Sequence, residues 1–219
     1  MKKLIIWDFD GVVANTEVLW IDTRMNLLNQ KYCTNWSFET AFKNMGGLAD
    51  KDKKIVLKNL GIDIDDSFWL EAHELDMKKI DKGIEKTKNI EDIFKLKQFS
   101  HCIATGGNLK RTNIKIEKTG IRHFFGEDKV FTSDLVSKGK PEPDLFLIAA
   151  EKMGFAPKDC IVIEDSIAGL IAAERAGMNR IAFVEYNQPE IIEKIKSMSV
   201  ENIFYNMVDV KNFLLKNFN

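Results

Sequence analysis

The chain has 219 residues, of which 45% are hydrophobic and 30% charged, and its net charge is -1. That is enough apolar material for a sizeable core, and it excludes wholesale disorder. The near-balanced charge removes the electrostatic case for nucleic acid or an anionic membrane as the main partner.

In chain order, Met1-Lys2-Lys3 leads into an apolar run that Asp8 and Asp10 interrupt too soon for a signal-peptide core. No segment approaches the length of a transmembrane helix, so the cytoplasm is the expected location. Leu4-Ile5-Ile6-Trp7 reads as a buried strand, and Asp8-Phe9-Asp10-Gly11 ends it with two acids and a turn. Residues at i and i+2 point the same way along an extended chain, so both carboxylates can reach one ligand. Two anions that close repel unless a cation or a shared proton intervenes. An ordinary strand-end turn would account for Asp10-Gly11 but not for Asp8.

From Glu17 to Ile80 the patterning is helical, with Leu19, Thr23, Met25, Leu27 and Leu28, then Ile55, Val56, Leu57 and Leu60; no strand stands out there. Runs such as Lys51-Asp52-Lys53-Lys54 read as solvated helix faces. From Ile84 onward the character alternates. Helices are expected over 90–96, 108–118, 144–153 and 169–176, and strands over 102–105, 130–132, 161–164 and 181–184. Such alternation predicts an α/β fold, a parallel sheet with helices on its faces. A lone first strand is not stable, so residues 4–7 are expected to join that sheet. Residues 1–14 and 84–219 then form the core, and 15–83 an inserted all-helical cap domain. Gly11 and Asp81-Lys82-Gly83 are hinge candidates. The tail from Pro189 to Asn219 predicts one or two amphipathic helices, with Phe204, Val208, Val210, Phe213 and Leu214 on the core side. Cys33, Cys102 and Cys160 are odd in number and widely spaced, which suits reduced, mostly buried thiols better than disulfides or zinc.

Ligands of an open parallel sheet bind beyond the carboxyl ends of its strands, and three further strand ends are polar. Thr105-Gly106-Gly107-Asn108 offers a hydroxyl and backbone N–H groups at a helix N-terminus, fit for a phosphate; plain capping by Asn108 or Thr105 is the alternative. In Lys138-Gly139-Lys140-Pro141-Glu142-Pro143-Asp144 the prolines stiffen a backbone that presents a lysine, before a helix that Asp144 could cap. Glu164-Asp165-Ser166 adds two more acids, although Asp165 or Ser166 could simply be an N-cap. Together the four endings compose a site for a metal and a phosphoryl group, and hard oxygen ligands point to magnesium.

These motifs, in this order, resemble the haloacid dehalogenase superfamily, and within it the small phosphatases and beta-phosphoglucomutases with a helical cap after the first motif. The match runs through DFDGVVANTE from Asp8, ATGGN from Ala104, GKPEPDLF from Gly139 and IEDSIAGLIAAERAGM from Ile163. The resemblance implies a Rossmann-like core with the cap closing over the site, a small phosphate ester as substrate and a monomeric state. It assigns Asp8 as the nucleophile that becomes an aspartyl phosphate, and Asp10 as the acid for the leaving alcohol and then the base for water. Asp8, the backbone carbonyl of Asp10 and Asp165 would bind Mg2+, with Glu164 a direct or outer-shell helper. Thr105 and the Gly106 N–H would hold the phosphoryl oxygens. Lys140, directly before Pro, would neutralise charge ahead of its rival Lys138. Family dehalogenases lack the acid at the position of Asp10 and transport ATPases have Thr there, so Asp10 argues for ester chemistry. Gly106 and Asn15 depart from common family choices without threatening it.

A sugar-phosphate mutase needs the same core plus a clamp for a second phosphate. Beta-phosphoglucomutase uses a cap histidine and a cap arginine; here the first aligns with Trp20, and Met45-Gly46-Gly47-Leu48-Ala49-Asp50 has no arginine. A phosphatase is therefore favoured over a mutase, and the full acid and lysine set speaks against an idle binding protein on this fold. Glu17, Trp20 and Gly47 are the candidate substrate contacts of the cap, although Trp20 on a helical stripe also suits a core role.

Overall fold

The computed structural model describes residues 2–48, 50–185 and 189–218. Ala49 of the loop above, and the terminal residues Met1 and Asn219, lie outside the described residues. Asn15–Ile84 form one compact unit, and Met1–Ala14 with Glu85–Asn219 form another.

The first of these units is helical: α1 (Glu17–Tyr32), α2 (Phe38–Met45), α3 (Asp50–Asn59) and α4 (Asp66–Asp81). Ile21, Leu27 and Leu28 of α1, Ala41 and Met45 of α2, Leu57 of α3, and Phe68 and Ala72 of α4 form its core. Ser37 and Asp65 set two helix starts by accepting the N–H groups of Thr40 and Phe68. The unit also buries charge. The Arg24 guanidinium donates to Asp76, with both side chains 3% exposed, and to the Trp20 carbonyl at 3.3 Å. It sits 5.8 Å from the Trp20 ring centroid and 6.0 Å from that of Trp69. Asp50 lies 3.9 Å from Arg24, 3.7 Å from Lys53 and 3.3 Å from His73. Burial works against its charge, but His73, Arg24 and Lys53 prevail and hold its carboxyl below the usual range.

The other unit carries β1 (Lys3–Trp7), β2 (Phe99–Thr105), β3 (Val130–Thr132), β4 (Cys160–Glu164), β5 (Asn179–Phe183) and β6 (Ile203–Phe204) in one parallel sheet of order β3-β2-β1-β4-β5-β6. Its helices are α5 (Glu91–Phe94), α6 (Leu109–Lys118), α7 (Asp144–Met153), α8 (Ile167–Arg175), α9 (Pro189–Ser197) and α10 (Met207–Asn217). Leu4, Ile6, Cys102, Ala104 and Val162 pack with Phe146 and Ala149 of α7 and Ala172 and Ala173 of α8. Trp7 faces the opposite side, its ring edge-on to Phe94 at 5.1 Å. Burial on both faces is why these strands read as continuous apolar runs rather than alternating ones.

Several sequence expectations need correction. Residues 90–96 supply only one helical turn, α5. The two-residue β6 takes Phe204 out of the tail helices, because a strand that short shows no period of two. On α10, Val210 and Leu214 are buried but Val208 is exposed. Asp144 begins α7 without capping it, and Cys33, unlike the two strand cysteines, is exposed.

The Trp7 indole N–H donates to His101 Nδ1 at 3.2 Å, so the neutral ring is the form this contact needs. Burial, opposed by the Leu96 carbonyl, pushes His101 down to about 4. The folded value is then below the unfolded one, so its contribution is intact above about pH 6.5 and lost as the pH falls toward 4. The expected loss is about 3 kcal/mol. Urea unfolding of wild type and His101→Phe between pH 7 and pH 4 checks this: the variant should lose less stability on acidification, and parallel curves would refute it.

Candidate active site

Strand order reverses at β1, where the chain runs outward to β2 and β3 on one side and to β4, β5 and β6 on the other. Such a switch point opens a crevice beyond the carboxyl ends of the strands. Asp8 follows β1 directly, Thr105 ends β2, Glu164 ends β4 with Asp165 next, and Lys140 lies between β3 and α7. The Asp8 N–H bonds to the Ile163 carbonyl at 3.0 Å, carrying the pairing of β1 and β4 one residue past the strand.

These side chains converge. Lys140 Nζ donates to Asp8 Oδ1 at 2.5 Å, to Glu164 Oε2 at 2.7 Å and to the Ala104 carbonyl at 3.3 Å. Glu164 Oε1 accepts the N–H groups of Asp165 at 3.2 Å and Ser166 at 3.0 Å. Asp8, Glu164 and Asp165 each offer a carboxylate oxygen, and these oxygens lie within 4.8 Å of one another. Two glycines make the room. A Cβ on Gly11, whose φ is +85°, would stand 1.9 Å from Asp165 Oδ2, and one on Gly169 would stand 2.0 Å from Glu164 Oε2. Thr105 is buried, and its Oγ1 accepts the Gly107 N–H at 3.3 Å. Gly106 is exposed beside it, while Asn108 caps α6 by accepting the Arg111 N–H, and Ser166 caps α8 by accepting that of Gly169.

One ammonium is shared by two buried carboxylates, Asp8 and Glu164, with Asp165 beside them. Burial and the Glu164 charge, against the pull of Lys140, push Asp8 up to about 7. Glu164 is buried too, but Lys140 and the Ser166 N–H hold it below the usual range. Burial of the Lys140 ammonium is outweighed by Asp8 and Glu164, which hold it above its ordinary value. The oxygens of Asp8, Glu164 and Asp165 are thus gathered where a hard divalent cation of the magnesium type fits.

Lys138 is exposed, so Lys140 is the lysine of its loop that reaches the acids. Asp10 is held by a residue that no sequence motif flagged: Lys115 of α6 donates to both of its oxygens, at 2.7 and 2.5 Å. In the helical unit, Glu17 Oε1 accepts the Gly47 N–H at 2.8 Å, bringing two of the candidate cap residues together. Trp20 is half-buried, its carbonyl accepting from Arg24 at 3.3 Å and its ring centroid 5.8 Å from the guanidinium carbon.

The sequence model described as haloacid dehalogenase-like hydrolase matches residues 5–183. The chain is 31% identical over 194 residues to a bifunctional riboflavin kinase/FMN phosphatase of Arabidopsis thaliana, covering 83% of this chain but 49% of that protein. The chain thus spans about half the length of that relative. It is 24% identical over 183 residues to a phosphorylated carbohydrates phosphatase of Thermotoga maritima, covering 82% of this chain and 83% of the relative. In structure it is similar to a conserved haloacid dehalogenase-like protein of unknown function from Agrobacterium tumefaciens, with a TM-score of 0.89 and 23% identity over 99% of both chains. Among the described residues, no helix is long and apolar enough to cross a membrane.

Proposed function

Because this chain belongs to the haloacid dehalogenase-like hydrolases, we propose that it is a magnesium-dependent phosphatase acting on a small phosphorylated metabolite, a sugar phosphate or related monoester. The observation that carries this reading is the meeting of Lys140 with Asp8 and Glu164, at 2.5 and 2.7 Å, beside Asp165. The phosphatase names of two relatives, one for phosphorylated carbohydrates and one for FMN, support the substrate class.

In this reaction an Asp8 oxygen attacks phosphorus and takes the phosphoryl group as an acyl phosphate, releasing the alcohol. Asp10 gives the departing oxygen its proton and then takes one from the water that hydrolyses the acyl phosphate. Lys140 offsets charge on Asp8 and on the phosphoryl oxygens, which also accept from the Thr105 hydroxyl and the Gly106 N–H. Asp8, Asp165 and the Asp10 backbone carbonyl would hold the magnesium, with Glu164 as a direct or outer-shell partner. Bound there, the ion neutralises charge on the phosphoryl group as a Lewis acid. The helical unit is read as the cap that chooses the substrate, with Glu17, Trp20 and Gly47 as its contacts.

Hydrolysis of p-nitrophenyl phosphate tests the reaction: turnover should require Mg2+ and stop with a chelator, and an inert protein would overturn the reading. With beta-glucose 1-phosphate and a bisphosphate primer, only free phosphate should form; glucose 6-phosphate would instead identify a mutase.

A further inference from the structure

Lys115 lies on α6, outside every motif of the proposed reaction, yet its side chain is only 5% exposed and ends at Asp10. Both Asp10 oxygens accept from its Nζ, at 2.7 and 2.5 Å, and the Phe9 ring centroid lies 4.8 Å from that nitrogen. The ammonium also stands beside the Thr105 loop. A Cβ built on Gly107 would be 3.8 Å from Lys115 Nζ, 3.7 Å from Thr105 Oγ1 and 3.1 Å from Thr112 Oγ1. The helix that delivers Lys115 is pinned at both ends, by Asn108 at its start and by the Thr119 hydroxyl, which donates to the Lys115 carbonyl at 2.9 Å.

A carboxylate on a turn has several staggered orientations open to it. Asp10 is 32% exposed, so burial alone does not select one. Two charge-assisted bonds to a donor on a packed helix do select one, and a buried ammonium left without its carboxylate would be costly, so the pair is mutually enforced. We propose that Lys115 is a positioning residue that directs the Asp10 carboxylate to the Thr105 side of the crevice, where the phosphoryl group would lie. Its catalytic consequence rests on the phosphatase reading: with Asp10 misdirected, proton transfer suffers while substrate binding does not.

Lys115→Met should lower kcat by about 10- to 100-fold at unchanged KM, a part of the roughly 10²- to 10⁴-fold that general acid–base catalysis supplies, because the acid is misdirected rather than removed. In an Asp10→Asn background the same change should cost less than about threefold, because there is no longer an acid to place. Lys115→Gln carries the same expectations should the Met variant not fold. A crystal structure of the variant supplies the readout that does not depend on turnover: the Asp10 carboxylate should leave its wild-type orientation. A kcat within about twofold of wild type, equal losses in both backgrounds, or an unmoved Asp10 carboxylate would overturn the proposal. Were the wild-type protein inert toward phosphate esters, the phosphatase reading would fall, and the crystal structure would still decide whether Lys115 positions Asp10.

Discussion

Asp8→Asn is expected to lower magnesium-dependent phosphate release by about four orders of magnitude or more, the scale of removing a covalent nucleophile. The amide is nearly isosteric with the carboxylate, so the loss would be chemical rather than structural. Stability should move the other way. In the metal-free protein the Asp8 carboxyl is pushed up to about 7 by burial first and by Glu164 second. Its folded value is thus above its unfolded one, so its contribution is present at acid pH and lost as the pH rises through about 7. Asn carries no charge to desolvate. At pH 8 without Mg2+, the variant should therefore unfold at no lower a temperature than wild type, and the stabilisation Mg2+ gives wild type should shrink. Undiminished turnover in Asp8→Asn would remove this residue from the nucleophile's role. A large loss of metal-free stability at pH 8 would show that the Lys140 contact outweighs burial.

Asp76→Ala should destabilise the helical unit by about 3–5 kcal/mol, the cost of leaving a buried charge unpaired. Arg24 and Asp76 are each 3% exposed, and the nearest other carboxylate, Asp50, stands 3.9 Å from the guanidinium. Burial raises the Asp76 carboxyl above its ordinary range even against Arg24, so the pair itself is no large source of stability. The same physics predicts that an Arg24→Met, Asp76→Leu double variant keeps most of the stability that the single change loses. Urea unfolding, with circular dichroism following the helices, checks both. A single-variant loss below about 1 kcal/mol, or a double variant as weak as the single, would contradict the argument.

How much could be read in advance varies by residue. Trp7, Asp8 and Gly11 could be read together because a strand, its polar end and its turn are neighbours in sequence. Asn108 and Ser166 were legible as helix starts for the same reason, since a cap bonds a group three residues on. Lys115 was not legible. Within α6 it is one more lysine on an amphipathic helix, and its partner stands 105 positions earlier. Arg24 and Asp76 are likewise 52 positions apart, on helices whose patterning shows only their apolar faces.

The sequence by itself determined the α/β class and the polar residues at four strand ends, because periodicity and turn chemistry are written over a few adjacent residues. Only the tertiary structure decided that β6 closes the edge beside β5, that Lys140 spans 132 positions to stand between Asp8 and Glu164, and that Lys115 holds Asp10. Such contacts depend on which distant segments the parallel sheet brings side by side. No local propensity encodes that, and it appears only when the packed core closes the long loops between them.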